Sequence, residues 1–233
     1  MKQHIALALI GPMLYLQGRR VRQRTPQLPE PQGARIGTTG QGAALRLLIV
    51  GDSAAAGVGV ADQQQALSGQ LVAALAADHT VSWQLLARSG DTSAQLLDAL
   101  ADAPAQVVDV VVVSIGVNDV TALTSRRRWR ANLRALVGLL EGRFGRPFVV
   151  LTPVPPMHRF PALPQPLRWW LGLRAQTLNR DMRRLADAHA AVSCVPIDYP
   201  ADTPFMASDG FHPGARAYAL WARHLAQAIT APR

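Results

Sequence analysis

Short apolar runs alternate with longer amphipathic segments along most of this chain. The runs lie at residues 47–50, 80–86, 107–115, 148–151 and 192–197. Residues 107–115 are almost continuously β-branched, which is typical of a central parallel strand whose two faces are both covered. The lengths and compositions of these runs predict five strands, of which the one at 80–86 has the weakest pattern.

The segments between the runs carry apolar side chains at the spacing of one helix face. The clearest stripes consist of Leu67, Leu71 and Leu75; of Trp129, Leu133, Leu136, Val137 and Leu140; of Leu171, Ala175, Leu178, Met182 and Leu185; and of Tyr218, Trp221, Leu225 and Ile229. Strands that alternate with helices of this length are joined by right-handed crossovers into a parallel sheet. The pattern therefore predicts an α/β fold, a three-layer α/β/α sandwich around a five-stranded parallel sheet.

The N-terminal residues have a different composition and predict a division of the chain into three parts. Residues 1–18 are largely apolar, although Gly11 and Pro12 interrupt them. Residues 19–45 are rich in Pro, Gly, Gln, Thr and Arg and have no apolar period, which is typical of a linker or surface arm. Residues 46–233 form the predicted folded domain.

Three roles are open for the apolar N-terminal segment. A helix over residues 5–16 would extend about 18 Å at ~1.5 Å per residue, whereas the hydrocarbon core of a bilayer is ~30 Å thick. A basic cluster follows the segment, and such clusters favour the anionic cytoplasmic leaflet. We therefore expect an interfacial anchor and a cytoplasmic or inner-face location. The alternatives are an export signal and an arm packed on the domain or on a partner.

The strong positive charge narrows the range of partners. A net charge of +9 and a pI near 11.2 favour acidic surfaces such as phospholipid headgroups or nucleic acid. The arginine cluster at 126–130 surrounds Trp129, which belongs to the apolar stripe of its helix. We therefore expect a solvated basic face there, peripheral contact with an anionic membrane, and no nucleic acid. Cys194 is the single cysteine, which excludes an intramolecular disulfide.

Ser53 follows the first predicted strand in the sequence Gly51-Asp52-Ser53. Open α/β sheets bind their ligands at the carboxyl ends of the strands. Gly51 permits an unusual backbone angle, and the small residues after Ser53 leave its hydroxyl accessible. Taken alone, Ser53 fits a helix N-cap better than a nucleophile. Its role therefore depends on the other residues that a nucleophilic serine requires.

A base and a carboxylate that could orient it are both present near the C-terminus. The spacing Asp209-x-x-His212 lets the carboxylate fold back onto the imidazole, and Pro213 then begins the last helix favourably. Acyl transfer to serine also needs donors for the developing oxyanion. Gly90 offers a backbone N–H and Asn118 a side-chain amide after two further strands. Each residue alone fits turn chemistry, but their joint presence indicates a serine hydrolase.

These segments resemble the signature blocks of a known family. Gly51-Asp52-Ser53, Gly90, Gly116-x-Asn118-Asp119 and Asp209-x-x-His212-Pro213 are similar, in order and content, to the four blocks of the SGNH (GDSL-type) hydrolases. The resemblance implies a flavodoxin-like sandwich with Ser53 as nucleophile, His212 as base and Asp209 as its partner. It also implies an oxyanion hole formed by the Ser53 N–H, the Gly90 N–H and the Asn118 side chain. It implies no metal or organic cofactor.

The substrate is expected to be a carboxylic ester, either a small acyl ester or a lipid. Met157, Phe160, Trp169 and Trp170 follow the fourth strand and are candidates for an acyl pocket or lid. If they line the site, we expect medium or longer acyl chains, including those of lysophospholipids and thioesters; the alternative is that they pack against the domain. Two other functions stay open: a catalytically silent membrane-surface or binding module on the same scaffold, and an acyltransferase with the same residues.

Overall fold

The computed structural model describes residues 2–196 and 204–231, with side chains from Ile10 onwards. The strands are β1 Ile36–Thr39, β2 Ala43–Gly51, β3 His79–Ala87, β4 Val110–Ser114, β5 Phe148–Thr152 and β6 Val192–Cys194. They form one sheet in the order β1-β3-β2-β4-β5-β6. All neighbouring pairs are parallel except β1 and β3. The predicted α/β fold is confirmed, and the sheet is mostly parallel.

The sheet has six strands and not the predicted five. The additional strand is β1, which pairs antiparallel with β3 from Ile36 opposite Gln84 to Thr39 opposite Val81. Its sequence, Ile-Gly-Thr-Thr, is mostly exposed, so it has no apolar alternation that would have indicated a strand. Pairing to the sheet thus begins upstream of Arg46, within the segment 19–45. An edge strand forms backbone hydrogen bonds with one neighbour only, and these bonds do not require apolar side chains.

The helices lie on both faces of the sheet. They are α1 Lys2–Arg24, α2 Ser53–Ala56, α3 Leu67–Leu75, α4 Ser93–Asp102, α5 Val117–Thr121, α6 Arg126–Arg143, α7 Leu167–Asp187 and α8 Ala215–Thr230. Short 3₁₀ turns occur at Gln63–Gln65 and Met157–Arg159. The predicted strand at 192–197 is shorter in the structure, since β6 ends at Cys194, and Ile197 lies outside the described residues.

Alternating side chains of the central strands build two separate cores. Because successive strand residues point to opposite faces, Leu47 and Ile49 pack with α3 and α8, whereas Leu48 and Val50 pack with α4, α6 and α7. All five residues of β4 are buried, as expected for a central parallel strand. Each fully buried Val, Leu or Ile contributes about 1.5–3 kcal/mol. This burial on both faces produces the three-layer arrangement.

Helix α1 extends beyond the predicted apolar segment 1–18 and contacts the domain. Leu14 is buried in the core that includes α7. The Gln17 side chain donates a hydrogen bond to the Gln165 carbonyl at 2.7 Å and accepts one from the Leu167 N–H at 3.1 Å. These contacts place the middle of α1 beside the start of α7. Among the described helices, none is both long enough and apolar enough to cross a bilayer.

The register of the central strands aligns their carboxyl ends. Gly51 at the end of β2 lies between Ala87 of β3 and Ser114 of β4, and Ser114 in turn pairs with Thr152 of β5. The segments that leave these four strands therefore start at one edge of the sheet. That edge brings together the candidate residues on three different βα connections.

Candidate active site

Ser53 lies in a tight turn that only glycine permits at its start. Gly51 has φ of +150°, and a Cβ atom there would lie 1.8 Å from the Ser114 carbonyl oxygen. The Asp52 carboxylate then caps the single-turn helix α2 by accepting a hydrogen bond from the Ala54 N–H at 3.1 Å. The Gly57 N–H closes the turn on the Ser53 carbonyl at 3.1 Å. The turn holds a half-buried Ser53 side chain at the sheet edge.

A chain of hydrogen bonds joins Ser53, His212 and Asp209. His212 Nε2 lies 3.0 Å from Ser53 Oγ, and His212 Nδ1 lies 2.5 Å from Asp209 Oδ2. The second Asp209 oxygen accepts from the backbone N–H groups of Phe211 and His212 at 2.9 and 3.0 Å. The three-residue spacing therefore does fold the carboxylate back onto the imidazole. These contacts fix the ring with one nitrogen facing the serine hydroxyl.

Asp209, which belongs to this series of hydrogen bonds, and Asp52, which precedes Ser53, have opposite pKa shifts. Burial acts to raise the pKa of Asp209, but the hydrogen bonds from His212 and Phe211 outweigh it and hold that pKa below its usual value. Burial also raises the pKa of Asp52, to about 7, because the Ala54 N–H opposes it only in part. Asp209 is thus a stable anion beside the imidazole, and Asp52 is readily protonated.

Gly90 and Asn118 lie on neighbouring connections and are linked through Asp91. The Asn118 side-chain amide donates a hydrogen bond to the Asp91 carbonyl at 2.9 Å. Gly90 is exposed with φ of +90°, and a Cβ atom there would meet open space. Within residues 2–196 and 204–231, no hydrogen bond joins either residue to Ser53 or His212. Their assignment to an oxyanion hole thus depends on position and resemblance.

Asp119, next to Asn118, has a structural role. Its two carboxylate oxygens accept hydrogen bonds from the N–H and the hydroxyl of Ser93, at 2.8 and 2.7 Å. Asn132 donates to the same hydroxyl at 2.8 Å. These buried contacts connect the start of α4 to α5 and so fix the backbone that carries Asn118.

A cavity of about 60 Å³ opens beside Ser53 and His212. Its apolar wall is formed mainly by Pro153, Val154, Pro155, Pro156, Phe160 and Phe211. Asp52 also lines it, although sequence reasoning did not assign that residue a role. The place of Asp52 between a buried strand and the candidate nucleophile was the signal that could have identified it.

Phe160 lines this cavity, but the other three candidates for an acyl pocket do not. Met157 is fully buried in the core, because the 3₁₀ turn that contains it directs the side chain inwards. Trp169 is 52% exposed on the first turn of α7. Trp170 is half-buried, and the Arg174 guanidinium lies 5.5 Å from the centre of its ring. The side chains of Met157, Trp169 and Trp170 thus point away from the cavity, although all three residues follow β5 closely in the sequence.

The part of the chain that the structure describes contains no group of three or more His, Cys, Asp or Glu side chains arranged to hold a metal ion. The acidic residues near Ser53 instead have separate partners. Asp119 binds Ser93 and Asp209 binds His212.

A model described as the GDSL-like lipase/acylhydrolase family matches residues 49–220. This range includes Ser53, Gly90, Asn118 and the Asp209–His212 loop. No curated protein matches the chain significantly.

Solved structures with a similar fold are distant in sequence. A lipolytic protein of the G-D-S-L family from Veillonella parvula has a TM-score of 0.65 at 15% identity and covers 82% of this chain and 100% of its own. A putative platelet activating factor from Streptococcus pneumonia has a TM-score of 0.60 at 18% identity, with 97% and 99% covered. An acetyl xylan esterase from Geobacillus stearothermophilus has a TM-score of 0.57 at 18% identity, with 82% and 98% covered. These likenesses establish a shared fold.

Proposed function

The chain belongs to the GDSL-like lipase/acylhydrolase family, and from this premise we propose that it hydrolyses carboxylic esters through an acyl intermediate on Ser53. The observation that carries the proposal is the hydrogen-bonded sequence from Ser53 Oγ to His212 Nε2 at 3.0 Å and from His212 Nδ1 to Asp209 at 2.5 Å. A nucleophile, a base and a group that orients the base are the parts that serine acyl transfer requires.

In the proposed reaction, His212 Nε2 takes the proton of Ser53 Oγ as that oxygen attacks the carbonyl carbon of the ester. Asp209, whose lowered pKa keeps it ionised, stabilises the resulting imidazolium. His212 then passes the proton to the departing alcohol, which leaves the acyl group on Ser53. Water attacks the acyl carbon in a second cycle and gives a proton to His212. His212 returns that proton to Ser53 Oγ as the bond between this oxygen and the acyl carbon breaks, which releases the acid and regenerates the serine hydroxyl.

The negative charge on the carbonyl oxygen needs donors that are already in place. The Ser53 N–H is at the start of α2, where backbone N–H groups have no acceptor within their own helix. The Asn118 amide has two hydrogens, and its bond to the Asp91 carbonyl fixes its orientation. We assign the oxyanion contacts to these two groups and to the Gly90 N–H. Each such donor is worth roughly 10²–10³-fold in rate.

The proposal is tested with a fluorophosphonate probe that labels activated serines. Wild-type protein is expected to be labelled, and Ser53→Ala is expected to lose both labelling and ester hydrolysis. His212→Ala should lose about 10²–10⁴-fold in turnover, whereas Asn118→Ala should be less damaged. Ser82→Ala removes an exposed hydroxyl that contacts Thr38 and serves as the matched control. Substantial hydrolysis by purified Ser53→Ala would contradict the mechanism.

The same experiment separates the two alternative functions. A folded wild-type protein that the probe does not label would be a binding module on this scaffold. Labelling without hydrolysis, together with transfer of the acyl group to an added alcohol, would identify an acyltransferase, since both activities share the acyl-serine. Release of free acid with water as the acceptor supports the hydrolase.

We further propose that the acyl group is short. The cavity beside Ser53 has a volume of about 60 Å³, less than half of the ~150 Å³ apolar cavity that accommodates a benzene molecule in another protein. Phe160 and Phe211 both line it and pack edge to face, with ring centres 5.2 Å apart. An acetyl group is small enough for this cavity, and one of the structurally similar proteins is described as an acetyl xylan esterase.

A series of p-nitrophenyl esters tests the acyl length. We expect kcat/KM for chains of two to four carbons to exceed that for eight or more by at least about tenfold, because each methylene that does not fit costs on the order of 1 kcal/mol. Phe160→Ala should enlarge the cavity and move the preference to longer chains. Trp169→Ala, outside the cavity, is the control. A kcat/KM that rises steadily with chain length in the wild type would refute a short acyl site.

We also propose a peripheral contact with anionic membranes. Met13, Tyr15 and Leu16 of α1 are exposed, as are Trp169 and Leu173 of α7. Gln17 holds α1 beside the start of α7, so these apolar side chains belong to two contacting elements. The basic residues Arg19, Arg20, Arg22 and Arg24 follow on α1. Exposed aromatic and aliphatic side chains next to arginines are typical of surfaces that bind at the interface of anionic lipid.

A further inference from the structure

The loop that carries Gly90 is held by a segment far upstream in the sequence. Glu30 Oε1 accepts hydrogen bonds from both the N–H and the hydroxyl of Ser89, each at 2.8 Å. Ser89 immediately precedes Gly90, and both are exposed. Without Glu30, the backbone N–H of Ser89 would have to find its partner in water. The carboxylate therefore determines where the peptide between Ser89 and Gly90 lies.

Arg35 connects Glu30 to the sheet. Its guanidinium donates to Glu30 Oε2 at 2.8 Å and also to the carbonyl of Ala87, the last residue of β3. The Arg35 carbonyl accepts from the Leu85 N–H at 2.7 Å. Arg35 therefore makes two contacts to β3, the strand that leads into the Gly90 loop, and positions the Glu30 carboxylate beside that strand.

The ionisation of Glu30 fits this role. Its side chain is 30% exposed, and partial burial acts to raise its pKa. The hydrogen bonds from Ser89, followed by that from Arg35, outweigh burial and hold the pKa of Glu30 below its usual value. Glu30 thus remains an anion, and charged acceptors make the stronger hydrogen bonds.

The same upstream segment also contacts the nucleophile turn. A Cβ atom on Gly57, which ends α2, would lie 2.9 Å from the Pro31 ring. Gln32 forms a bridge with Asp62, its N–H binding the Ala61 carbonyl at 3.2 Å and its carbonyl accepting from the Gln63 N–H at 2.8 Å. Residues 30–35 therefore extend across the connections that carry Ser53 and Gly90, although the family match begins only at residue 49.

From these contacts we infer that Glu30 is a positioning residue for the oxyanion loop of this enzyme, acting through Ser89 on the Gly90 N–H. The inference rests on the proposed function, since Gly90 matters to catalysis only if Ser53 is acylated. A donor that contributes in the transition state changes kcat and leaves substrate binding nearly unchanged. If removal of the Glu30 carboxylate displaces the Gly90 N–H, kcat should likewise fall while KM stays nearly unchanged.

The test compares Glu30→Ala with Asp109→Ala. Asp109 is a matched control because it likewise accepts from a backbone N–H and from an arginine, both of Arg46, at 2.8 and 2.6 Å. It precedes β4 and so lies at the opposite edge of the sheet from Ser53. With p-nitrophenyl acetate, and with kcat expressed per titrated active serine, Glu30→Ala should lose about tenfold in kcat. Its KM should change less than about twofold, and Asp109→Ala should retain the wild-type kcat.

Two further variants separate positioning from general destabilisation. Glu30→Gln retains an oxygen that can accept from Ser89 and should recover most of the kcat. Ser89→Ala removes one of the two contacts to Glu30 and keeps the upstream segment in place, so it tests the inference even if Glu30→Ala does not fold; a loss of about two- to threefold is expected. A per-site kcat within twofold of wild type in folded Glu30→Ala, or an equal loss in Asp109→Ala, would overturn the inference.

Amide hydrogen exchange distinguishes failure of this inference from failure of the proposed function. Glu30→Ala should exchange faster than wild type at residues 88–91, whereas Asp109→Ala should not. If the wild-type protein hydrolyses no ester, the proposed function fails and so does the catalytic consequence drawn for Glu30. Unchanged exchange at residues 88–91 in Glu30→Ala would instead overturn the anchoring itself, whatever the activity.

Discussion

At the scale of single residues, the environment of Asp52 makes the stability of the protein depend on pH. Asp52 is 2% exposed, and burial raises its pKa from 3.8 to about 7. The folded protein therefore binds a proton at Asp52 between about pH 4 and pH 7 that the unfolded chain has released. Because the folded state binds more protons there, this group's contribution to the free energy of unfolding falls as pH rises.

We predict that Asp52→Asn removes this contribution. Asparagine can still cap α2 but does not titrate, so the variant should lose less stability than wild type between pH 5 and pH 8, by a few kcal/mol at about 1.4 kcal/mol per unit of pKa shift. Urea unfolding at the two pH values measures the difference. Asp62→Asn is the control, because exposed Asp62 caps the 3₁₀ turn at Gln63–Gln65 in the same way. Parallel pH profiles for Asp52→Asn and wild type would show that burial does not shift Asp52.

The contribution of Asp209 to the free energy of unfolding depends on pH in the opposite direction. Its pKa is below the ordinary value because the hydrogen bonds from His212 and Phe211 outweigh burial. A carboxyl group of this kind contributes stability above its unfolded pKa and loses that stability as pH falls through the folded one. The loss therefore lies at acid pH, below the window of Asp52, so the two contributions can be measured separately.

At the scale of elements, the strands that are covered on both faces were predictable from the sequence, whereas the edge strand β1 was not. The apolar runs at 47–50 and 148–151 lie within β2 and β5, whose buried residues are 47–51 and 149–152. Strand β1 has no such signal, because its residues contribute backbone pairing and little burial. Burial leaves a pattern in the sequence, whereas pairing at an edge of the sheet leaves almost none.

Some features of the candidate site were likewise predictable from the sequence, and others were not. The proximity of Ser53, Asp209 and His212 could be expected from short motifs, since each motif spans few residues and each lies at a strand or helix end. The directions of Met157 and Trp169 could not, because one is turned into the core and the other into solvent by the local backbone. The contact between Glu30 and Ser89 joins residues far apart in sequence, and a single sequence holds no pattern for such a pair.

At the scale of the whole molecule, the positive charge is distributed unevenly. Part of the arginine cluster at 126–130 is neutralised internally, since Arg126 and Arg130 bind the buried Asp181 carboxylate at 2.6 and 2.9 Å. The N-terminal 29 residues, by contrast, contain no Asp or Glu and include the four arginines of α1. Attraction to an anionic surface should therefore act mainly through α1 and the adjoining start of α7.

This asymmetry predicts selective binding to anionic vesicles through α1 and α7. Each arginine near an anionic surface contributes about 1 kcal/mol, so vesicles with phosphatidylglycerol should sediment the protein and neutral phosphatidylcholine vesicles should not. Trp169→Ser removes an exposed aromatic side chain from this face and should weaken binding severalfold, whereas Val107→Ser, an equally exposed apolar residue at the opposite edge of the sheet, should not. Equal binding by both variants would place the contact elsewhere, and equal sedimentation with neutral vesicles would exclude an electrostatic contribution.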